Sequence, residues 1–376
     1  MGIFRIVLAL SVFAAHAYDA FGANVPLNDW VSLAARGSLH IYVWSGHAVF
    51  AFFILSGFYM AMVINRKYSK VPDGTRRFYF NRALRLYPTN WVIIAIYALL
   101  FVLSATPSFL TLNLTHGAAW LTPIAFFCNF FFAGAEIITL SDYGNWQYVI
   151  GPIWSLSLES YFYVLAPFIV TRPIKFIALL AVGSAVLRLS LYQFGFAPTP
   201  WRYFFFPSDL VFFLMGVFSY RLFDPFKSAG WVKFAGMASA AALLSVVLCE
   251  KFWTYCGELD NWESWAFYTC VAICTPFIFH LTRNSVIDNF IGQLSYPVYL
   301  GHMLVFAAIA RFYHGHIERG LLALILTTLF ATSIYFVVDK PVENIRRRIS
   351  DRLPVGYPGR SSFATGVSLG GNVKVS

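Results

Sequence analysis

Long apolar runs separated by short polar stretches make up most of this chain. A membrane span takes about 20 mostly apolar residues, somewhat fewer at the low end. Eleven stretches come close: 3–20, 43–64, 90–105, 119–138, 152–170, 174–193, 208–222, 234–250, 264–281, 295–312 and 319–338. The pattern predicts an all-α polytopic membrane bundle. Stretch 119–138 stands apart, because it contains Pro123, Asn129 and Gly134 and follows the polar run from Thr111 to Gly117. Irregular backbone at membrane depth is tolerated only when protein covers it, so this stretch is expected to be re-entrant or interfacial. No internal repeat and no Pro- or Ser-rich linker divides the chain. The organisation is one membrane domain, 1–352, followed by 353–376, a Gly- and Ser-rich segment expected to be a disordered tail.

Composition sharpens the class. Of 376 residues, 59% are hydrophobic and 12% charged. Soluble domains carry about a quarter charged residues, so this chain lacks the charge to cover a soluble surface. Mean hydropathy is +0.66. Disorder, a disulfide scaffold, a coiled coil and most nucleic-acid modules are excluded. The net charge of +10 therefore does not point to nucleic acid; basic residues are expected in the cytoplasmic loops of a membrane protein. The five cysteines form no CxxC pair, and no metal site is expected. Cys270 and Cys274, one helical turn apart, read as packing residues, and Cys249 and Cys256 lie near one outer loop.

The distribution of charge orients the spans. Arg66, Lys67, Lys70, Arg76, Arg77, Arg82 and Arg85 face a single acid, Asp73, between the second and third spans. That loop is expected to be cytoplasmic. Glu250, Glu258, Asp260 and Glu263 mark an external loop, and Lys340, Arg346, Arg347, Arg348 and Arg352 a cytoplasmic end. With all eleven stretches crossing, Arg172, Lys175, Arg221, Lys227, Lys233 and the basic end fall on the wrong side. With 119–138 not crossing, every conflict disappears. The expectation is ten spans, with the N- and C-termini in the cytoplasm. The first run has a single early charge, Arg5, and no clean small-residue cleavage site before His16, Tyr18 and Asp19, so it reads as a retained helix rather than a signal peptide. Asn113 begins a glycosylation sequon of the kind that arises often by chance.

Ionisable groups inside spans are costly and point to function. Arg5 and His16 are eleven residues apart. On an α-helix that is about 20° past three whole turns and about 16 Å along the axis, so both occupy one face. Taken alone, Arg5 serves equally as a cytoplasmic anchor, and a lone His16 reads as a hydrogen-bonded packing histidine. Ser56-Gly57 in an apolar helix signals close helix approach. Arg82 and Arg85 share a helix face among Phe78, Tyr79, Phe80, Leu84 and Leu86. Paired guanidinium groups suit phosphate, and anionic lipid is the competing ligand. Glu159, after Trp154, enters an apolar span and needs a partner; His302 follows Tyr299 inside another. Asp209 and Arg202 are placed to pair.

Together these segments resemble the acyltransferase-3 family of integral-membrane O-acyltransferases. The resemblance runs in order from Arg5 to about Pro341. Its most specific mark is a basic residue, ten residues and a histidine, here Arg5 and His16. The FFxLSGF stretch is Phe52 to Phe58, the RRxxRxxP-like stretch is Asn81 to Pro88, WSLxxE is Trp154 to Glu159, and SYxxYLxH is Ser295 to His302. Three positions depart from the pattern: Asn81 replaces a frequent arginine, Ser160 a common second glutamate, and Asp339 a common glutamate before Lys340-Pro341.

The resemblance implies a cytoplasmic acyl-CoA donor, most simply acetyl-CoA, and transfer to a hydroxyl of an envelope carbohydrate or glycolipid at a bacterial inner membrane. It implies donor contacts at Arg82 and Arg85, assisted by Arg5, and active-site roles for His16 and Glu159. Histidine suits the role of general base because its ordinary pKa lies near working pH, and Glu159 is expected to orient it. Ser56, Trp154, Tyr299 and His302 are further candidates. The competing class is a transporter or flippase for a glycolipid or small solute, in which the same buried charges form a relay.

Overall fold

The computed structural model describes residues 1–21, 45–104, 122–134, 152–197, 200–249, 258–314 and 319–351. Cys256, Asn113 and the tail 353–376 lie outside the described residues. Among those described, the fold is all-helical. The helices are α1 (Gly2–Phe21), α2 (Ser45–Arg66), α3 (Gly74–Ser104), α4 (Thr122–Phe131), α5 (Ile153–Ile169), α6 (Ile174–Gln193), α7 (Phe206–Phe223), α8 (Val232–Leu248), α9 (Trp262–Thr282), α10 (Val286–Phe312), α11 (Arg319–Ile334) and α12 (Lys340–Asp351). A π-helical turn, Tyr335–Asp339, joins the last two.

Eight helical segments among the described residues are long and apolar enough to cross a membrane, and α5 and α8 are shorter apolar helices. Large apolar side chains face outward, among them Leu179, Val182 and Val186 on α6 and Phe234 and Leu244 on α8. Such surface is tolerated in lipid and not in water. The chain is an integral membrane protein. The basic segment 76–88 and the third span form one continuous helix, α3, with Pro88 inside it.

Stretch 119–138 contains the short helix α4. Its ten residues rise about 15 Å, half the hydrocarbon thickness. The carbonyls at its C-terminal end would otherwise be orphaned. Donors on α3 satisfy them: Asn90 to the Asn129 carbonyl at 2.9 Å, Trp91 to Phe130 at 3.1 Å and Tyr87 to Phe131 at 3.0 Å. Tyr161 of α5 accepts from the Gly134 N–H at 2.8 Å. These four bonds tie the C-terminal end of α4 and the turn after it to α3 and α5.

Helix α2 is the hub, packing on α1, α5, α7 and α9. Its most apolar window is 83% buried, against 17% for α6 at the periphery. The α2–α7 contact is backbone to backbone: a Cβ at Gly57 would strike the Phe213 carbonyl, and one at Gly216 the Ile54 carbonyl. The close approach expected at Ser56-Gly57 is therefore present, with the opposing glycine on α7. Phe50 stacks on Phe212 at 4.3 Å and Phe53 on Phe213 at 4.5 Å along the same seam. Helix α1 is pinned to α10 by Asp288, whose carboxylate accepts the Gly2 and Ile3 N–H groups at 2.8 and 2.9 Å. This satisfies two orphan donors and places an anion at the positive end of the helix. The seam is tight enough that a Cβ at Gly2 would strike the Asp288 carbonyl.

Candidate functional site

A cavity of about 330 Å³ opens between α1, α2, α3, α5, α10 and α12. It takes Arg5 from the start of α1, Ser56 and Tyr59 from the second half of α2, and Arg82 and Arg85 from the first half of α3. Helix α5 contributes Ser155, Glu159 and Tyr163, four residues apart and so on one face. Helix α10 contributes Ser295, Tyr296 and Tyr299, and α12 contributes Glu343 and Arg346. Apolar walls come from Val49, Phe52, Phe53 and Leu156.

Cations outnumber anions in this lining. Among the described residues Arg5, Arg82 and Arg85 form no ion pair, while Arg346 pairs with Glu343 at 2.6 Å. The Arg82 guanidinium lies over Phe78 and Tyr163 at 5.8 and 6.0 Å. Its Nε is buried without a hydrogen-bond partner. A buried donor on a charged group costs free energy until an acceptor arrives, and an anionic group in the cavity would supply one. A planar guanidinium among rings suits phosphate better than a lysine would.

Deeper in, the polar groups are committed to each other. Tyr163 donates to Glu159 Oε1 at 2.5 Å. Ser155 donates its only proton to the Pro152 carbonyl at 2.8 Å. The Tyr299 hydroxyl, 2.6 Å from Ser155 Oγ, is therefore the donor in that contact. Tyr296 donates to the Leu86 carbonyl at 2.8 Å, tying α10 to α3 just behind Arg85.

Neither His16 nor His302 lines the cavity. They form their own pair beyond Tyr299, with rings stacked at 5.4 Å and 26°. His302 is fully buried, with Phe306 5.4 Å and Tyr299 6.4 Å away. Its Nδ1 lies 3.1 Å from the Val298 carbonyl. A carbonyl can only accept, so Nδ1 carries the proton and Nε2 keeps its lone pair. That Nε2 is buried without a partner. The held tautomer leaves the lone pair of that nitrogen open. Tyr299 links the two halves, with its hydroxyl in the cavity and its ring beside His302.

Six of the candidate residues, Arg5, Ser56, Arg82, Arg85, Glu159 and Tyr299, thus share one cavity. His16 and His302 share the adjoining pair. Two expectations change. Glu159 hydrogen-bonds Tyr163, and no hydrogen bond joins it to His16, whose ring partner is His302. Trp154 lies off the cavity, packed 4.5 Å from both Tyr203 and Phe204. Burial pushes the Tyr203 phenol up, so it stays protonated.

The expected Arg202–Asp209 pair is also corrected. Asp209 pairs with Arg188 at 2.5 Å, and Arg202 with Asp260 at 2.5 Å. Arg188 also pairs with Asp260, which closes a four-residue network. Arg188, on α6, was the residue missed: it carries the second guanidinium the two aspartates need. Its guanidinium lies against the stacked Phe50–Phe212 pair, 4.6 and 4.8 Å from the two ring centres, and all four side chains of the network are nearly or fully buried.

The chain matches the family model described as an acyltransferase domain, that of acyltransferase-3, over residues 1–338. It is 23% identical over 324 residues to proteins named O-acetyltransferase OatA from Staphylococcus aureus strains NCTC 8325 / PS 47 and COL. The match covers 77% of this chain and 51% of theirs. The chain thus spans about half the length of the curated relatives it matches. No solved structure matches it.

Proposed function

The chain belongs to the acyltransferase-3 family, and from that premise we propose that this membrane acyltransferase moves an acetyl group from cytoplasmic acetyl-CoA to a hydroxyl of an envelope carbohydrate or glycolipid. The supporting observation is the cavity that holds unpaired Arg5, Arg82 and Arg85 and ends, at Tyr299, beside the His16–His302 pair.

In this reading ten segments cross a bacterial inner membrane with both ends in the cytoplasm, and the basic mouth of the cavity faces inward. The donor's phosphates bind Arg82 and Arg85, each guanidinium offering two parallel donors. Arg5 sits further along the same path. The thin pantetheine arm follows the cavity past Ser56 and Glu159, and its thioester reaches the level of Tyr299. The acceptor hydroxyl arrives from the other side, at His16.

Neutral His16 takes the hydroxyl proton as the oxygen attacks the thioester carbon. The C–S bond breaks, the acyl group stays on the acceptor oxygen as an ester, and the thiolate takes the proton back from His16 to leave as free CoA, returning the imidazole to its neutral form. His302, stacked on His16, holds that ring in place and keeps its own Nε2 open to the proton that His16 takes up. The names of the relatives favour acetyl as the acyl group.

Purified protein supplied with labelled acetyl-CoA and an envelope glycan should yield labelled glycan ester and free CoA. His16→Ala should abolish the transfer while the protein still inserts into membranes. Retained transfer would remove His16 from the reaction. Solute movement with the thioester left intact would replace the enzyme with a transporter.

A further inference from the structure

The cavity mouth contains one guanidinium from outside the segment that the family model matches. Helix α12 begins at Lys340, whereas the match ends at residue 338. We propose that Arg346, on this helix, is a further donor-binding residue that completes the phosphate site begun by Arg82 and Arg85. The inference rests on the acyl-CoA reading and extends it to a segment that would otherwise pass for a basic tail.

Three observations carry it. First, α12 is docked at both ends of its approach to α3. Thr89 donates to Asp339 at the π-turn that precedes α12, and Arg346 Nε donates to Asn81 Oδ1 at 3.3 Å. Asn81 spends its own amide on the Arg77 carbonyl at 3.2 Å, which turns its oxygen toward Arg346. Second, the guanidinium is aimed by its partners. Nη1 meets Glu343 at 2.6 Å, and Nη2 makes no hydrogen bond to any described residue. The side chain is 16% exposed and lines the cavity with Arg82 and Arg85. Third, the local charge is unbalanced. Glu343 is the only carboxylate that pairs with the mouth guanidiniums among the described residues, leaving an excess of positive charge where the donor enters. A basic residue that served only the positive-inside rule would gain by reaching solvent. This one is turned inward and held there by two partners.

The ligand class follows from the chemistry: a multiply charged phosphate ester, the end of the donor remote from the thioester. Free coenzyme A is the probe, titrated calorimetrically into the full chain in lipid nanodiscs. Arg346→Gln keeps an amide that can still reach Asn81 or Glu343 but removes the charge. It should weaken coenzyme A binding about tenfold, the scale of one charge-assisted hydrogen-bonded contact. The salt dependence of binding should become shallower. Adding Asn81→Arg to Arg346→Gln returns a guanidinium to the same mouth from α3 and should restore most of the affinity. Unchanged binding by Arg346→Gln in a parent that binds coenzyme A would overturn the inference and leave the donor reading standing. A loss that Asn81→Arg does not repair would also overturn it, because the loss would then come from undocking α12. A parent that does not bind coenzyme A would bring down the donor reading and this inference together.

Discussion

The imidazole of His302 stacks on that of His16 at 5.4 Å, with its Nδ1 proton held by the Val298 carbonyl and its Nε2 bare. A packing histidine would be expected to use both nitrogens, because an unsatisfied buried polar atom costs about 1–3 kcal/mol. Replacing His302 by Phe keeps a ring of similar size among Phe13, Phe306 and Tyr299 while deleting that nitrogen. The expected outcome is a melting temperature close to that of the parent and a turnover reduced about a hundredfold, the low end of general acid–base contributions. Paired measurements of thermal unfolding and acyl transfer check it. Parental turnover would make His302 a spacer.

Tyr299 offers a finer test because its ring and its hydroxyl serve different neighbours. Tyr299→Phe retains the contacts to Phe52 and His302 and removes the 2.6 Å hydrogen bond to Ser155. One neutral hydrogen bond is worth about 1 kcal/mol of stability. The hydroxyl bonds Ser155 and none of the cavity's guanidiniums. Turnover should therefore fall about tenfold while the KM for acetyl-CoA stays within about twofold, as expected for a group that acts on the reacting end alone. Steady-state kinetics over a donor series would separate the two constants.

Much of this site was legible because its residues are expensive. Arg5, Arg82, Arg85 and Glu159 stand out in the sequence as charges in or beside apolar runs, and the structure gathers all four around one cavity. Gly57 signalled a close contact, but only the fold shows that Gly216 faces the same seam. Other features were hidden for physical reasons. Arg346 stands beside Arg347 and Arg348, so its charge reads as topology; only its contacts with Asn81 and Glu343 set it apart. Arg188 lies in an apolar helix, and its partners Asp209 and Asp260 come from separate parts of the chain. Nearness in sequence suggested Arg202 for Asp209, yet the third dimension supplied a better partner for each. Trp154 sits five residues before a motif glutamate but on another face of α5, where aromatic packing claims it.

The Arg188 network should behave as a buried lock. Removing one partner of a buried ion pair strands a charge and costs about 3–5 kcal/mol. Arg188→Leu leaves Asp209 without its guanidinium and Asp260 with Arg202 alone. Thermal unfolding in detergent should show a large drop in melting temperature, or no folded protein at all. Arg202→Leu should cost less, since Arg188 still reaches both aspartates. Both effects should be nearly independent of added salt, because the pairs are closed to solvent and poorly screened. A small, salt-sensitive loss for Arg188→Leu would mean that water enters the network.

The α2–α7 seam gives a prediction that involves no charge. A methyl group at Gly57 or Gly216 would meet a backbone carbonyl of the opposite helix, and a backbone carbonyl cannot swing aside as a flexible side chain can. Overpacking a tight core costs about 1–3 kcal/mol. Gly57→Ala and Gly216→Ala should each lower the melting temperature. The double variant should lose less than the sum of the singles, because once the helices are pushed apart the second methyl meets an opened seam. Full additivity in the thermal data would show that the two contacts yield separately.

Arg82 and Arg85 decide between two readings of the basic mouth, donor binding and lipid anchoring. An anchoring arginine contributes affinity for an anionic bilayer and is indifferent to soluble ligands. A donor-binding arginine raises affinity for a phosphate ester in any bilayer. The surroundings of Arg82 favour the second kind, with its Nε buried and its guanidinium against Tyr163, which itself bonds Glu159. Arg82→Gln and Arg85→Gln should each raise the KM for acetyl-CoA at least tenfold, the scale of a lost charge-assisted contact. Turnover at saturating donor should change much less, because the phosphates bind equally in ground and transition states. The same result is expected in nanodiscs of neutral lipid and in nanodiscs containing anionic lipid. If the effect appeared only with anionic lipid, the two arginines would be gripping headgroups, and the cavity would need another explanation for its unpaired charge.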